Sequence, residues 1–277
     1  MPRNFITTNS FQAVAAGQTA TIELPIGELV FHELLLLYGT TAAGGANRVN
    51  TEAHITEVRV KLNGKVQRVF SAAQLFNLNE VNGITFAAGF LPIFFGEPWR
   101  RSADGEDVLA WGTDDISTFT VEVDIDAAAL NPTLDARIVV DRVRRPLGPI
   151  VKWRRFTVPV SAIGIVNVTT LPKQDAYYRL HAFSTVIDDV EVTIDQLEVF
   201  KMTDGQMREL YTEMGLAVPA ALTSIIFDPT QRVGDALGMA TRLPNGQTRA
   251  VSEFRVDYNM SAATSFALIT EVLGPRD

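Results

Sequence analysis

The sequence predicts an all-β chain folded as two tandem β-sandwiches or jelly rolls. Three observations carry that expectation. Apolar and polar residues alternate with a period of two through many short runs, which is the pattern of half-buried strands. Gly, Pro, Asn and Asp punctuate those runs at regular spacing, as sandwich and barrel folds require. The second half of the chain also repeats the first, element by element and in the same order.

The repeat can be followed along the chain. Near the start, IELPIG (22–27) is answered by TTLPKQ (169–174), 147 residues further on. Val58, Val60 and Leu62 then alternate as a strand, Asn63-Gly64 makes a tight turn, and 66–70 returns as the partner strand. Ser71 and Gln74 form a capping box opening a short helix with Leu75 and Leu78 on its apolar stripe. At an offset of 132 the same elements recur: the alternation of Val190, Val192 and Ile194, the capping box of Thr203 and Gln206, and the stripe of Met207 and Leu210. IFFGEP (93–98) pairs with IIFDP (225–229), and DVLAWGT (107–113) pairs more weakly with DALGMAT (235–241). The clearest match is FTVEVDIDAA (119–128) with FRVDYNMSAA (254–263), at an offset of 135. Offsets that drift while the order is kept are what loop insertions and deletions produce between two copies of one domain. The largest jump falls at 39–54, read as a long loop of small residues with no counterpart in the second half. The expected organisation is a first domain over 1–141, a basic Pro/Gly linker over 142–149 containing Pro146, Gly148 and Pro149, and a second domain over 150–277.

Composition narrows the function. The 277 residues are 47% hydrophobic and 20% charged, enough for two cores of about 130–140 residues each. A net charge of −8 argues against general nucleic-acid binding. The absence of cysteine excludes disulfides, thiolate metal sites and cysteine nucleophiles. The opening MPRNFITTNS lacks the apolar core of a secretory leader. The two most apolar segments, 33–39 and 87–96, fall short of the ~20 residues that span a bilayer. A soluble chain is expected.

Catalytic signals are missing. There is no Walker loop, G-x-G-x-x-G run or G-x-S-x-G elbow, so no catalytic or cofactor-binding residue is predicted and no cofactor is required. His32, His54 and His181 stand far apart, and for each the plain expectation is a strand histidine at an edge or interface. Asp124 and Asp126, two apart, read as the solvated face of a strand. ADGEDV (103–108) offers Asp104, Glu106 and Asp107 as a weak calcium candidate without EF-hand spacing. The positive feature is a local excess of cations. Arg137, Arg142, Arg144, Arg145, Lys152, Arg154 and Arg155 face a single acid, Asp141. Its plain reading is a solvated linker paired with acids of a neighbouring barrel or subunit. Its sharper reading is a phosphate-facing patch, with Arg142, Arg144, Arg145, Lys152, Arg154 and Arg155 towards lipid headgroups. Trp153, within that stretch, is expected in a core.

VAAGQTATIELPIG (14–27), VRVKLNGKV (58–66) and FTVEVDIDAAA (119–129) together resemble the corticovirus-type major capsid protein, the coat protein of an icosahedral bacteriophage with an internal membrane. The resemblance is clearest over 9–141. It implies a double jelly roll of two eight-stranded barrels, with short helices in inter-strand loops. It also implies a homotrimer contacting neighbouring capsomers, other capsid and vertex proteins, and membrane proteins, with peripheral contact to the viral membrane. Calcium ions are compatible with it, and specific nucleic-acid binding is not expected. The location implied is the virion shell, after synthesis in the host cytoplasm. The alternative is a tandem β-sandwich carbohydrate- or receptor-binding protein such as a viral spike, which would line a cleft with exposed aromatics. A two-domain cupin enzyme is a third reading, disfavoured by the lack of a histidine cluster.

Overall fold

The computed structural model describes residues 3–100, 103–242 and 247–277. Among these, the chain divides into two compact units. The first takes the chain up to Asn79, then Ile84–Trp153 and Pro275–Asp277; the second takes Glu80–Gly83 and Arg154–Gly274. The segment 142–149 carries no strand or helix and lies within the first unit.

In the first unit the strands are β1 (Asn4–Thr7), β2 (Thr19–Glu23), β3 (Gly27–Gly39), β4 (Ile55–Leu62), β5 (Lys65–Phe70), β6 (Phe90–Phe94), β7 (Trp111–Thr113), β8 (Phe119–Ile125) and β9 (Thr133–Asp141). The helices are α1 (Arg48–His54), α2 (Ala72–Val81, whose last residues count with the second unit) and α3 (Ala103–Asp107). One sheet runs β1-β9-β3-β6, with β7 also pairing β3. The other runs β2-β8-β4-β5, and β5 is joined in parallel by the start of β10 (Ile150–Val158) through Trp153↔Arg68.

The second unit continues β10 and adds β11 (Gly164–Val168), β12 (Ala176–Phe183), β13 (Ile187–Ile194), β14 (Leu197–Thr203), α4 (Asp204–Glu213), β15 (Thr223–Ile226), β16 (Ala240–Arg242), β17 (Thr248–Ala250), β18 (Phe254–Met260) and β19 (Phe266–Gly274). Its sheets run β10-β19-β12-β15 and β11-β18-β13-β14, beside a small β16-β17 hairpin. These are the strand orders of the first unit again, β10-β19-β12-β15 for β1-β9-β3-β6 and β11-β18-β13-β14 for β2-β8-β4-β5. Eight strands of each unit thus pair as the two four-stranded sheets of a jelly roll, and the chain is a double jelly roll.

The repeated sequence folds into repeated structure. β8 and β18 are both seven residues long and bury every second side chain. Val58 pairs with Val123 across β4 and β8, and the predicted offsets of 132 and 135 carry that pair onto Val190 and Tyr258, which pair across β13 and β18. Both capping boxes form. In the first, the Gln74 N–H donates to Ser71 Oγ at 3.3 Å and the Ser71 N–H to Gln74 Oε1 at 2.9 Å. In the second, the Gln206 N–H donates to Thr203 Oγ1 at 3.2 Å and the Thr203 N–H to Gln206 Oε1 at 3.0 Å. The Asn63-Gly64 turn takes φ values of 49° and 77°, both left-handed, as a two-residue hairpin turn requires. Its counterpart is Asp195-Gln196, at 46° and 69°. Asn63 Oδ1 accepts from the Ser117 and Thr118 N–H groups, and Asp195 Oδ1 accepts from those of Ser252 and Glu253. The Ser252 hydroxyl, followed by these N–H groups, stabilises the Asp195 carboxylate and lowers its pKa to about 2.

Two details depart from the sequence reading. The stretch 39–54 is not all loop, because it ends in α1, where the Asn47 side chain accepts from the Asn50 N–H at 2.8 Å and Arg48 pairs with Glu52 at 2.7 Å. The weak match of 107–113 with 235–241 survives only in part. β7 pairs with β3 through Phe31↔Trp111, whereas the second copy, among the described residues, has the isolated bridge Tyr177↔Leu237 there.

Inside the first unit, Phe31, Phe95, Trp111 and Phe119 form one aromatic cluster with ring centroids 4.5–6.2 Å apart. Inside the second, Tyr177 packs on Phe254 at 4.8 Å and Tyr258 on Phe266 at 5.3 Å. Burying rings of this size contributes about 1.5–3 kcal/mol each, so these clusters anchor their respective rolls.

Candidate assembly surface

The residues offered by the sequence for chemistry are engaged structurally. Glu106 and Asp107 lie 3.2 and 2.7 Å from Arg3, and Asp107 also faces His32 Nδ1 at 3.3 Å. Asp104 sits in α3, and its side chain lies outside the described residues. Among the described residues, no group of three or more His, Asp and Glu side chains is arranged to hold a metal ion. A cavity of about 50 Å³ lined by Arg3, His32, Glu33, Glu97 and Glu106 holds little more than water.

The histidines correct the expectation of strand-edge positions: His32 and His181 lie on the inner strands β3 and β12, and His54 ends helix α1. All three are buried. His32 Nε2 meets Asp141 at 2.9 Å, His54 Nδ1 meets the Tyr38 hydroxyl at 2.7 Å, and His181 Nδ1 meets Ser224 Oγ at 2.8 Å. A strand histidine with a polar partner can be buried as well as a hydrophobic residue, and sequence spacing does not reveal such a partner.

The basic stretch divides in the structure. Arg142 and Arg144 are exposed, and Arg144 pairs with Asp114 at 2.7 Å. Arg145 donates to the backbone carbonyls of Asp107 and Ala110. Lys152 is buried and paired with Asp277 at 2.9 Å, and Arg154 lies 3.6 Å from Asp175. Arg155 is half-buried. The linker is strapped down rather than free. The Asp114 N–H donates to the Arg145 carbonyl, Leu147 N–H donates to Asp115, and the Arg145 and Pro146 carbonyls pass within 2.5 Å of where a Cβ on Gly112 would sit. Trp153 is buried against Phe70, at a ring separation of 5.2 Å, as a core residue.

What remains is surface, and the two outer sheet faces of the first unit differ sharply. The outer face of β2-β8-β4 is polar from strand to strand, and β5 continues its rows with Val69 and the exposed Val66. Register places Thr19, Asp124 and Glu57 in one row and Thr21, Glu122 and Arg59 in the next. Arg59 bonds Glu122 at 2.8 Å and Asp124 at 2.6 Å, and Lys61 bonds Glu122. The Lys61 ammonium, then Arg59, holds the Glu122 carboxyl below its usual range, and Arg59 does the same for Asp124. This is a face made for water.

The outer face of β1-β9-β3-β6 is mostly apolar. One row runs Phe5, Val139, Glu33 and Phe94. The next contains Arg137, Leu35 and Pro92, and the third Asp135, Leu37 and Phe90. Phe5 is 83% exposed and Phe90 42%, while Leu35 and Leu37 are half-buried. Burial raises the Glu33 pKa. The two exposed aromatics stand on opposite edge strands, β1 and β6, so among the described residues they do not line the sugar-binding cleft that the alternative reading needs.

Comparison with known proteins agrees with this division into two rolls. The viral coat protein P2 N-terminal domain family matches residues 5–141, and the viral coat protein P2 C-terminal domain family matches 150–275. The major capsid protein P2 of Pseudoalteromonas phage PM2 is 27% identical over 204 residues, covering 70% of each chain. Its crystal structure from bacteriophage PM2 aligns over 99% of this chain and 97% of its own, with a TM-score of 0.85 at 23% identity. A chain from the atomic structure of Sulfolobus Turreted Icosahedral Virus aligns over 98% and 90%, with a TM-score of 0.68 at 12% identity. With both domains matched in order over nearly its whole length, the chain belongs to the viral coat protein P2 family.

Proposed function

We propose that the chain is a major capsid protein that assembles as a homotrimer, with three chains supplying six jelly rolls to a pseudo-hexagonal block that tiles a closed shell. The observation that carries this reading is the doubled strand order within one polypeptide. A block of three such chains meets its neighbours through nearly equivalent edges, which is what a repeated lattice needs. No chemical step is required; the function is carried by the surfaces between copies. Native mass measurement provides the test. A species of about 91 kDa, three times the chain mass of 30.4 kDa, is expected, and a chain that stays monomeric across accessible concentrations overturns the reading.

The lipid-facing role of the basic stretch narrows to Arg142 and Arg144, whose side chains are exposed. Two arginines attract an anionic bilayer by about 1 kcal/mol each near its surface, and salt screens the effect. Replacing both with Gln is expected to weaken binding to phosphatidylserine-containing vesicles at low salt, with the difference vanishing at high salt. Equal binding by the two proteins at low salt rejects the membrane contact.

A further inference from the structure

The β4-β5 hairpin of the first unit and the β13-β14 hairpin of the second close on the same hydrogen-bonded frame, built around different side chains. Leu62↔Lys65 flank the first turn and Ile194↔Leu197 the second. The Asn63 N–H donates to the Thr118 carbonyl at 2.9 Å, and the Asp195 N–H to the Glu253 carbonyl at 3.0 Å. Asn63 Oδ1 accepts from the Ser117 N–H at 2.8 Å, the Ser117 hydroxyl at 2.9 Å and the Thr118 N–H at 3.2 Å. Asp195 Oδ1 accepts from the Ser252 N–H at 2.9 Å, the Ser252 hydroxyl at 2.6 Å and the Glu253 N–H at 2.9 Å. Three donors on one oxygen suit a carboxylate better than an amide, because hydrogen bonds to an ionised acceptor are roughly twice as strong. The second copy holds that carboxylate. The first holds the corresponding amide, and holds it in front of a glycine.

We propose that Asn63 is a modification site that exchanges its amide for a carboxylate by reaction with water, giving the first roll the acid turn that the second carries in its sequence. The Gly64 main-chain nitrogen gives up its proton and adds to Asn63 Cγ. The Cγ–Nδ2 bond breaks and ammonia leaves, closing a succinimide ring. Water then supplies a hydroxyl to Cγ and a proton to the nitrogen as the Cγ–N bond breaks, and the aspartate ionises. Gly64 has no side chain to obstruct ring closure, and nothing lies within 4 Å of where its Cβ would sit. Among the described residues its N–H has no hydrogen-bond partner. Asn63 and Gly64 are exposed, so water reaches the ring. The donors on Oδ1 stabilise the negative charge that gathers there while Cγ is tetrahedral. Opening the ring on its main-chain side would give isoaspartate, whose extra backbone methylene disturbs the Leu62↔Lys65 register, so the folded hairpin selects aspartate. Asn82-Gly83 is the contrast. There the Gly83 N–H is tied to the Glu80 carbonyl at 2.9 Å, and Asn82 Oδ1 accepts from Arg179 at 2.9 Å. A third such pair, Asn245-Gly246, lies outside the described residues.

The test incubates the folded full-length chain at mildly alkaline pH and 37 °C and maps its peptides by mass spectrometry, with fragmentation that separates aspartate from isoaspartate. Conversion to aspartate at Asn63 is expected, with the amide retained at Asn82 and a species carrying one more negative charge on isoelectric focusing. In denaturing urea both sites are expected to convert. The variant N63D supplies the product directly. Its urea midpoint at neutral pH is expected to exceed that of the parent, and S117A, which removes one donor, to shrink the difference. The gain should vanish on acidification from about pH 4 to about pH 2, because a carboxyl whose folded pKa is depressed stabilises the fold above its unfolded value and ceases to as pH falls through the folded one. An Asn63 that stays an amide in the folded chain, under conditions that convert it in urea, overturns the proposal. So does isoaspartate as the main product, since the turn then fails to select the acid. An N63D chain that unfolds at lower urea than the parent, or does not fold, overturns the fit of the carboxylate and the proposal with it.

Discussion

Replacing Asp228 with alanine is expected to cost about 3–5 kcal/mol and to leave the second unit poorly folded at 37 °C, because it removes the carboxylate facing a buried guanidinium. Asp228 is fully buried and Arg179 is 2% exposed. Arg179 Nε donates to Asp228 Oδ1 at 2.9 Å, and another of its N–H groups donates to Asn82 Oδ1, also at 2.9 Å. A guanidinium cannot escape by deprotonating at any ordinary pH, so the substitution leaves a buried cation without its carboxylate in low dielectric. A cost of that size is a large part of a typical total stability of about 5–15 kcal/mol. The comparison that isolates the charge is the double variant R179M/D228L, which removes both ions and replaces them with apolar volume; it is expected to recover most of the loss. Urea unfolding followed by circular dichroism on the full chain provides the measurement. A shift of less than about 1 kcal/mol in D228A would show that the pair is not the buried anchor described here.

Much of this architecture was legible because the signals are local and repeated. Alternation in FTVEVDI and FRVDYNM, two capping boxes and one Asn-Gly turn are each set by chemistry within a few residues, and the structure places every one of them in equivalent positions. The second hairpin turn was not legible, because Asp195-Gln196 lacks the glycine that advertises left-handed backbone. Its conformation is held instead by long-range hydrogen bonds to Ser252 and Glu253. Helix α1 was missed for the opposite reason: its signal, Asn47 as N-cap with the Arg48–Glu52 pair, was present but sat among small residues that read as loop. The basic stretch was the hardest to read. Seven cations in nineteen residues offered both a paired linker and a phosphate-facing patch, and the sequence could not show that Lys152 is buried against Asp277, 125 positions away, or that Arg145 bonds carbonyls. Formal charge in sequence does not reveal which cations folding neutralises. The apolar face of β3 was visible as ELLLLYG, but the sequence could not say that alternate leucines point to opposite sides of one sheet and that one side remains open.

The same reasoning makes Phe119 the most sensitive core position of the first unit. Its ring is fully buried and lies 4.9 Å from Phe31, 5.6 Å from Phe95 and 5.8 Å from Trp111. Phe119→Ala removes a ring that three aromatic neighbours on β3, β7 and the chain after β6 all pack against. Those neighbours sit on separately anchored backbone, so they cannot collapse into the space, and the cavity term adds to the transfer term. The expected cost is about 3–5 kcal/mol, towards the upper end. Phe254, its counterpart at the start of β18, is 2% exposed and packs on Tyr177, so Phe254→Ala is expected to fall in the same range but lower. The chain carries its own reporter for separating the two. All three tryptophans, Trp99, Trp111 and Trp153, belong to the first unit. Denaturant titration followed by tryptophan emission should therefore move strongly with Phe119→Ala. Because any ligand or partner that binds only the folded form raises apparent stability by mass action, the titration is run at several protein concentrations and extrapolated to the dissociated chain. A shift below about 1.5 kcal/mol in Phe119→Ala would mean that the cluster relaxes around the missing ring, and that the first roll is held by its sheets rather than by this aromatic centre.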